Sequence, residues 1–354
     1  MNNKQAFIVF FIGSFCLLGF RVIFNPTPYH FEKVRYFPEM PTSKANPVTK
    51  EGVELGRYLF YDTILSENYT FSCASCHKQE FAFSDSPNQF SKGVNGELLD
   101  RNTMPLYNLA WYPSMFWDGR ATSIENQVFF PVRAHNEMNL NWTEAEKRIQ
   151  KSKFYKPLFK KVFGDNNIDS NRISLAIAQF ERTLISSNSK FDQVLRGEKY
   201  LTADEYEGYG LINDQTKGDC LHCHTTDGNG LGTTLKFSNN GLDDYKTAVE
   251  YLDKGLATGT NNSSDIGWFK IPSLRNVGVT APYMHDGRFK TLKEVLDFYS
   301  EGVNQSYNVD SKMGFAHQGG ANLTEDEKEK IIAFLLTLTD SIFIKNPEFS
   351  NPFK

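Results

Sequence analysis

Two copies of one five-residue pattern constrain this chain more than any other feature of its sequence. A cysteine, two further residues, a second cysteine and a histidine occur at 73–77 and again at 220–224. The chain has 354 residues and five cysteines, and every cysteine except Cys16 belongs to one of these copies. This is the attachment pattern of c-type haem, in which both thiols bind the porphyrin and the histidine binds the iron. The sequence therefore predicts two covalently bound haem c groups.

The residues predicted to attach haem are the cysteines and the final histidine of each copy: Cys73, Cys76, His77, Cys220, Cys223 and His224. Other uses of paired cysteines fit less well. A structural zinc site keeps its two cysteine pairs about 15–20 residues apart, whereas these pairs begin at 73 and 220. A thioredoxin-like redox pair, or a set of disulfides, gives no role to the histidine that follows each pair.

An apolar stretch near the N-terminus predicts export. Residues 6–20 carry no charge and lie between Lys4 and Arg21. This stretch has the length of a signal peptide and is short for a membrane span. We expect residues 1–24 to be a signal peptide or an uncleaved anchor, and the protein to be periplasmic. Lysine and arginine number 38 against 42 acidic residues, without a basic run, which excludes nucleic acid as a partner.

Helical patterns dominate the rest of the chain, and strand-like alternation is scarce. Apolar residues at 53, 55, 59 and 60 predict a helix before the first motif, and residues 83–101 predict a loop near the first haem. A second helical pattern runs through Ile173, Ile177, Phe180 and Leu184. Capping-box pairs predict four helix starts, at Thr143 with Glu146, Thr202 with Glu205, Thr291 with Glu294, and Thr324 with Glu327.

We therefore predict a mainly α protein with two cytochrome c-like haem domains, long loops and little β structure. Residues 25–46 would form an extended leading segment, followed by the first haem domain at 47–185 and the second at 186–310. The C-terminal segment, 311–354, would contain a helix that packs back on the first domain.

Further motifs occur in a fixed order around the two haem motifs. They are Arg101-Asn102, Phe116-Trp117-Asp118-Gly119-Arg120, Gln127, Pro131, Glu137-Met138, Pro-Ser-Leu-Arg-Asn-Val at 272–277 and Ala-Pro-Tyr-Met-His-Asp-Gly at 281–287. From about Leu55 to Thr339, this order and spacing resemble the bacterial dihaem cytochrome c peroxidases and the related MauG-type enzyme of methylamine utilisation. The resemblance implies that the N-terminal haem reduces hydrogen peroxide and that the C-terminal haem stores or relays electrons.

The resemblance also implies roles for individual residues. Glu137 matches the acid/base carboxylate over the peroxidatic haem, Gln127 the neighbouring amide, and Trp117 the tryptophan between the haems. Cleaving the peroxide O–O bond requires a proton to move between its oxygens, which a carboxylate within hydrogen-bond reach can do while an amide orients the peroxide. The alternative is that Glu137 and Gln127 are solvated surface residues and that Trp117 is an ordinary core residue.

A calcium site at the domain junction is a further implication of the resemblance. Asn102, Thr280 and Pro282 match the family's calcium ligands, and carbonyl and amide oxygens suit this hard cation. These residues could equally make ordinary loop contacts. The resemblance leaves a homodimer open.

Two positions depart from the pattern of the classical dihaem peroxidases that the chain resembles. Val94 stands where those enzymes have a histidine that caps the resting peroxidatic haem, and valine cannot bind iron. Tyr299 stands where they have the methionine ligand of the second haem, and a tyrosine ligand there is the MauG-type feature. Met284 is the alternative ligand, and Tyr299 could instead be an ordinary core residue. We therefore expect a five-coordinate resting first haem.

Three functions remain open from the sequence. The first is a dihaem c peroxidase fed by an external donor such as a small cytochrome c or a copper protein. The second is a MauG-like enzyme that uses peroxide to oxidise a residue of a partner protein. The third is a non-catalytic dihaem electron carrier, which would require two protein ligands on both irons.

Overall fold

The computed structural model describes residues 25–226 and 229–354, and these residues are mainly helical. The α-helices are α1 Lys50–Tyr61, α2 Cys73–Cys76, α3 Ile124–Arg133, α4 Trp142–Lys151, α5 Tyr155–Phe163, α6 Ser170–Thr183, α7 Lys190–Leu195, α8 Ala203–Asn213, α9 Ala257–Thr260, α10 Leu292–Asp297 and α11 Glu325–Leu336. A π-helical turn, Phe298–Gly302, follows α10. Strands β1 Phe237–Ser238 and β2 Phe269–Lys270 pair antiparallel. The prediction of a mainly α fold with little β structure is confirmed.

The predicted signal peptide or anchor, residues 1–24, lies outside the described residues. Among the helices that are described, none has the length and apolar character needed to cross a membrane.

Helices α1 and α6 form the centre of the first half of the fold, which is the part of the chain up to the end of α6. The side chain of Thr49 caps α1 by accepting a hydrogen bond from the backbone N–H of Gly52 at 3.0 Å. Leu55, Leu59 and Phe60 of α1 are fully buried in one cluster with the apolar face of α6, as the helical patterns predicted. The rings of Phe60 and Phe180 meet edge to face at 5.3 Å. Burial of each such side chain stabilises the fold by about 1.5–3 kcal/mol.

The second half of the fold is the part from α7 to α11, and within it α11 packs against α8. Ile331 and Phe334 of α11 are fully buried in one cluster with Ile212 of α8. The helices approach closely because Gly208 has no side chain: a Cβ there would lie 2.0 Å from the carbonyl oxygen of Lys330. The prediction that the C-terminal helix packs back on the first domain is wrong, because its apolar face is buried in the second cluster.

The residues after α11, in contrast, return to the first half. Phe343 and Phe349 are buried in the cluster that contains α1 and α6. Arg57 of α1 donates from Nε to the carbonyl oxygen of Ser350 at 2.7 Å. The last residues of the chain therefore join the two halves.

The segment before α1 also contacts both halves. Trp111 donates from Nε1 to the carbonyl oxygen of Pro38 at 3.0 Å. The hydroxyl of Tyr36 donates to the carbonyl oxygen of Leu195 at 2.7 Å, and the backbone of Gly230 donates to that of Tyr36 at 2.7 Å. The boundaries of the two predicted haem domains stay a prediction.

Candidate active site

The first haem motif is the short helix α2 and the histidine that ends it. The backbone N–H of His77 donates to the carbonyl oxygen of Cys73 at 2.9 Å, which closes this helical turn. Nδ1 of His77 lies 2.7 Å from the carbonyl oxygen of Phe83. That contact makes Nδ1 the protonated nitrogen and gives Nε2 the lone pair for a metal. Burial lowers the pKa of His77, which favours the neutral, metal-binding form.

A cavity of about 990 Å³ adjoins His77 and fits a large flat group. Its walls include Cys76, His77, Trp117, Gln127 and Glu137. A smaller cavity beside it is lined by Cys73 together with four of the same residues. The thiols of both motifs are free. The structure thus brings together the residues that the sequence assigned to the first haem and to peroxide chemistry.

Helix α3 and the turn after it supply one wall of this cavity. Ser123 caps α3 by accepting a hydrogen bond from the backbone of Asn126 at 3.1 Å, which begins the helix that carries Gln127 and Pro131. The backbone N–H of Glu137 donates to the carbonyl oxygen of Ala134 at 3.0 Å. This turn brings the Glu137 carboxyl to the same cavity as Gln127.

The environment of Glu137 adjusts its acidity. Burial raises the pKa of the Glu137 carboxyl, and the nearby positive charge of Arg120 opposes this shift. The net shift is upward, so this carboxyl holds its proton more readily than a solvated glutamate. A raised carboxyl pKa suits a group that must accept and return a proton near neutral pH.

The loop of residues 83–101 lies against the Glu137 turn. The backbone N–H of Val94 donates to the carbonyl oxygen of Glu137 at 2.8 Å. Gly93 allows this approach, because a Cβ there would lie 2.0 Å from the carbonyl oxygen of Asn136. The loop therefore places Val94, a residue without metal-binding atoms, beside the predicted acid/base residue.

Trp117 lies where the two halves of the fold meet. Its indole Nε1 donates to the carbonyl oxygen of Asn102 at 2.8 Å, and its own carbonyl oxygen accepts from the backbone N–H of Lys270 on β2 at 2.8 Å. Nearby, Nε of Arg101 donates to the carboxylate of Asp253 at 2.7 Å. Trp117 is 8% exposed and lines the same cavity as His77; its place between the two haems stays a prediction.

The second haem motif has the same arrangement at its histidine. Nδ1 of His224 lies 2.9 Å from the carbonyl oxygen of Pro272, and burial lowers the pKa of His224 to about 4. Tyr299 and Met284, the two residues that could be a further ligand of a haem iron held by His224, both contact Asn240. Its Nδ2 donates to the hydroxyl of Tyr299 at 3.0 Å and to the sulfur of Met284 at 3.7 Å. Tyr299 as the ligand stays a prediction.

Burial raises the pKa of Tyr299 to about 12, the hydrogen bond from Asn240 opposes the shift, and Cys220 and Cys223 raise the pKa further.

The structure does not test whether Asn102, Thr280 and Pro282 bind calcium. The backbone N–H of Asn102 donates to the carbonyl oxygen of His285 at 2.8 Å, and its side-chain amide donates to the carbonyl oxygen of Gln89 at 3.0 Å. Among the described residues there is no group of three or more His, Cys, Asp and Glu that could hold a metal. A calcium site at Asn102, Thr280 and Pro282 stays a prediction that depends on carbonyl and amide oxygens.

Sequence reasoning missed several ionisable residues of the cavity, among them the buried Glu181 and Lys270. Glu181 is 3% exposed, and its Oε2 has no hydrogen-bond partner among the described residues. Burial raises the pKa of Glu181 to about 8, against the effect of Arg182 and with a contribution from Glu125. The sequence carried a signal for it, since Glu181 follows Ile177 at helical spacing in the apolar pattern of α6. Lys270 had no comparable signal.

Two Cys-x-x-Cys-His motifs in a mainly helical fold, with a tryptophan where the halves meet, are the arrangement expected of a dihaem protein. The family model described as di-haem cytochrome c peroxidase matches residues 50–200. The methylamine utilization protein MauG of Methylophilus methylotrophus is 32% identical over 311 residues, 87% of this chain and 88% of that protein. The cytochrome c551 peroxidase of Nitrosomonas europaea is 34% identical over 318 residues, 89% of this chain and 86% of that protein. The chain belongs to the dihaem cytochrome c peroxidase family.

Solved structures agree with this assignment. A MauG-like protein associated with microbial copper homeostasis superposes with a TM-score of 0.85 at 32% identity, covering 92% of this chain and 100% of that one. The dihaem peroxidase BthA of Burkholderia thailandensis has a TM-score of 0.72 at 21% identity, covering 92% of this chain and 98% of that one, and shows the shared fold. The predictions of a peroxidase-type oxidoreductase and of two haem groups are confirmed at the level of the family.

Proposed function

We propose that this protein reduces hydrogen peroxide to water with electrons from an external donor such as a small cytochrome c or a copper protein. The observation that carries this proposal is that Glu137 and Gln127 share one cavity with His77. Both haems would be attached covalently, one through Cys73 and Cys76 and the other through the second motif. A haem held by His77 supplies the redox-active iron for peroxide reduction.

The residues of the cavity have distinct tasks in this reaction, which consumes two electrons and two protons for each peroxide. His77 is held in one orientation by its hydrogen bond to the carbonyl oxygen of Phe83. Glu137 takes the proton from one peroxide oxygen and delivers it to the other, which leaves as water. The amide of Gln127 orients the peroxide by hydrogen bonding. Trp117, at the meeting point of the two halves, offers an aromatic path for electrons from the second haem.

Replacing Glu137 by glutamine tests this proposal. The E137Q variant keeps the size and polarity of the side chain but cannot shuttle a proton, so peroxide-dependent oxidation of a reduced small cytochrome c should slow sharply while both haem spectra remain. Glu97 offers a matched control, because its side chain is 53% exposed and does not line the cavity. E97Q should behave as wild type. Equal rates for E137Q and E97Q would contradict the assigned role.

A MauG-like oxidation of a partner protein is the second candidate. It is favoured by Tyr299, which is partly buried, accepts a hydrogen bond from Asn240 at 3.0 Å and would be a tyrosine ligand of the MauG type. Similarity to the solved structure of a MauG-like protein, with a TM-score of 0.85, also supports this candidate. Steady-state peroxide turnover with reduced cytochrome c separates the two candidates, because fast turnover supports the peroxidase and its absence, in a protein that still reacts with peroxide, supports the MauG-like function.

Three further proposals accompany this function. The chain is exported to the periplasm, which fractionation of the native host tests. Asn102 binds a calcium ion together with the carbonyl oxygens of Thr280 and Pro282, since such oxygens suit this cation; metal analysis before and after chelation tests it. The protein forms a homodimer, and analytical ultracentrifugation measures its mass in solution.

A further inference from the structure

Lys270 is a buried cation that the proposed peroxide chemistry does not use. It is the last residue of β2, its side chain is 3% exposed, and it lines the cavity that adjoins His77. Its ammonium group donates to the carbonyl oxygen of Ser114 and lies 5.2 Å from the ring centre of Tyr112. Burial lowers the pKa of Lys270 to about 7.

The aspartate whose charge acts on Lys270 already has other partners. The charge of Asp118 acts on Lys270, but its carboxylate accepts from Arg101 at 2.6 Å and from Arg120 at 3.0 Å. Asp253, which also lines the cavity, is bound by Arg101 at 2.7 Å. Within residues 25–226 and 229–354, no carboxylate forms an ion pair with Lys270. A buried ammonium group without a counter-ion has lost its hydration without an opposite charge to compensate, which is unfavourable.

We propose that Lys270 is the counter-ion of a propionate carboxylate of the haem held by His77. This rests on the haem placement proposed above. Haem carries two propionates, and Lys270 is buried in this cavity without an ion pair to any carboxylate of the described residues. Arg101 is saturated by two aspartates. Arg120 is bonded to Asp118 and stacks on Phe116 at 3.6 Å, and its charge acts on Glu137.

The position of Lys270 gives this contact a consequence beyond charge balance. Lys270 belongs to the second half of the fold, whereas His77 belongs to the first. The backbone N–H of Lys270 also donates to the carbonyl oxygen of Trp117 at 2.8 Å. One residue therefore holds the first haem from the opposite half and fixes the backbone of the tryptophan between the two haems.

The reduction potential of the first haem tests the proposal, because it responds to the charge beside the propionate. Removing a positive charge favours the more positive, oxidised iron, so the K270M variant should have a lower first-haem potential. We expect a shift of at least tenfold in the oxidised-to-reduced equilibrium, which is about 59 mV for one electron. The K270R variant keeps the charge and should retain most of the wild-type potential.

Spectroelectrochemistry of the full-length, haem-loaded protein provides the measurement, with the second haem as internal reference. Lys161 gives the control: it is exposed and does not line the cavity, so solvent screens its charge and K161M should leave both potentials unchanged. The K270Q variant replaces K270M if the methionine variant does not fold, with the same expected shift.

Several results would overturn the inference. They are an unchanged first-haem potential in folded K270M or K270Q, equal shifts at both haems, a shift confined to the second haem, or a K270R variant as shifted as K270M. Haem content is measured separately by the pyridine haemochrome assay. A wild-type protein without haem on the first motif would refute the proposed function itself. That outcome is distinct from a protein with two attached haems whose reduction potentials do not change when Lys270 is replaced, which would refute only this inference.

Discussion

Gly93 allows the loop of residues 83–101 to lie against the turn that carries Glu137, and its replacement by alanine tests the importance of this contact. A Cβ at Gly93 would lie 2.0 Å from the carbonyl oxygen of Asn136 and 2.9 Å from that of Glu137. Non-bonded carbon contacts are favourable only at about 3.5 Å or more, so the two segments must separate by roughly 1 Å. The contact with backbone atoms cannot be relieved by rotating a side chain.

The expected result is a large loss of reactivity in a protein that still folds and carries both haems. Displacement of a catalytic group by about 1 Å can slow a reaction by about 10²-fold, and we expect that decrease in the second-order rate constant for G93A with peroxide. The haem-attaching residues of the first motif lie on α2 and should be unaffected. Stopped-flow spectroscopy measures the rate, and thermal unfolding checks the fold.

Gly210 provides the control for a glycine-to-alanine change. It lies in α8, and a Cβ there would meet no atom within 4 Å. G210A should therefore react with peroxide at the wild-type rate. The reasoning would be refuted if folded G93A reacted within about twofold of wild type, since the loop would then have no influence on the position of Glu137.

Three further predictions concern single residues. E137Q should slow peroxide decay by about 10²–10⁴-fold, the usual contribution of a general acid/base group, with unchanged haem spectra in stopped-flow; a loss below about threefold would contradict the assigned role. Replacing Tyr299 by methionine should raise the potential of the second haem alone, because phenolate ligation stabilises oxidised iron, and a potential unchanged in spectroelectrochemistry would exclude Tyr299 as the ligand. D192N should lower the free energy of unfolding in urea by about 3–5 kcal/mol, because it leaves Arg275 buried without its partner; a loss below about 1 kcal/mol would show that this ion pair is not needed. Burial acts to raise the pKa of Asp192, but hydrogen bonding to Arg275 outweighs this effect, so the pKa is lowered. The stabilisation from the ion pair is therefore complete above the ordinary carboxyl pKa of about 4, and it is lost as the pH falls through the lowered pKa.

The local signals in the sequence were reliable wherever one segment determined the outcome. The capping boxes at Thr202, Thr291 and Thr324 each begin a helix in the structure. The fourth prediction, at Thr143, was wrong by two residues. The side chain of Asn141 caps α4 instead, by accepting from the backbone of Glu144 at 2.8 Å, because asparagine at that position is itself a strong N-cap.

Contacts between distant segments were harder to predict. The apolar face of α11 was visible in the sequence, but the choice of partner depends on the close approach at Gly208, which no periodicity encodes. The loop of residues 83–101 is held to the Glu137 turn by a backbone hydrogen bond from Val94 to Glu137. Because every residue type has the same backbone carbonyl, the residue types do not reveal such a contact. In the sequence, nothing distinguishes Lys270 from a surface lysine. Only the tertiary fold shows that it is buried in a cavity.

Family motifs, in contrast, identified most of the candidate site. The positions of His77, Trp117, Gln127 and Glu137 around one cavity agree with the order of those motifs along the chain. The carboxyl of Glu181 escaped notice because its neighbours predicted only a buried helix, and a buried acid cannot be distinguished from a surface acid without knowing which way its side chain points.

The resting spin state of each iron tests the central claim of this account most directly. Electron paramagnetic resonance of the oxidised, full-length protein should show a high-spin signal from the haem held by His77, because Val94 beside Glu137 offers no ligand, and a low-spin signal from the haem held by His224. Addition of peroxide to this oxidised protein, without prior reduction, should produce a rapid spectral change. Low-spin signals from both irons, together with no reaction with peroxide, would contradict the claim that the first haem is open for catalysis.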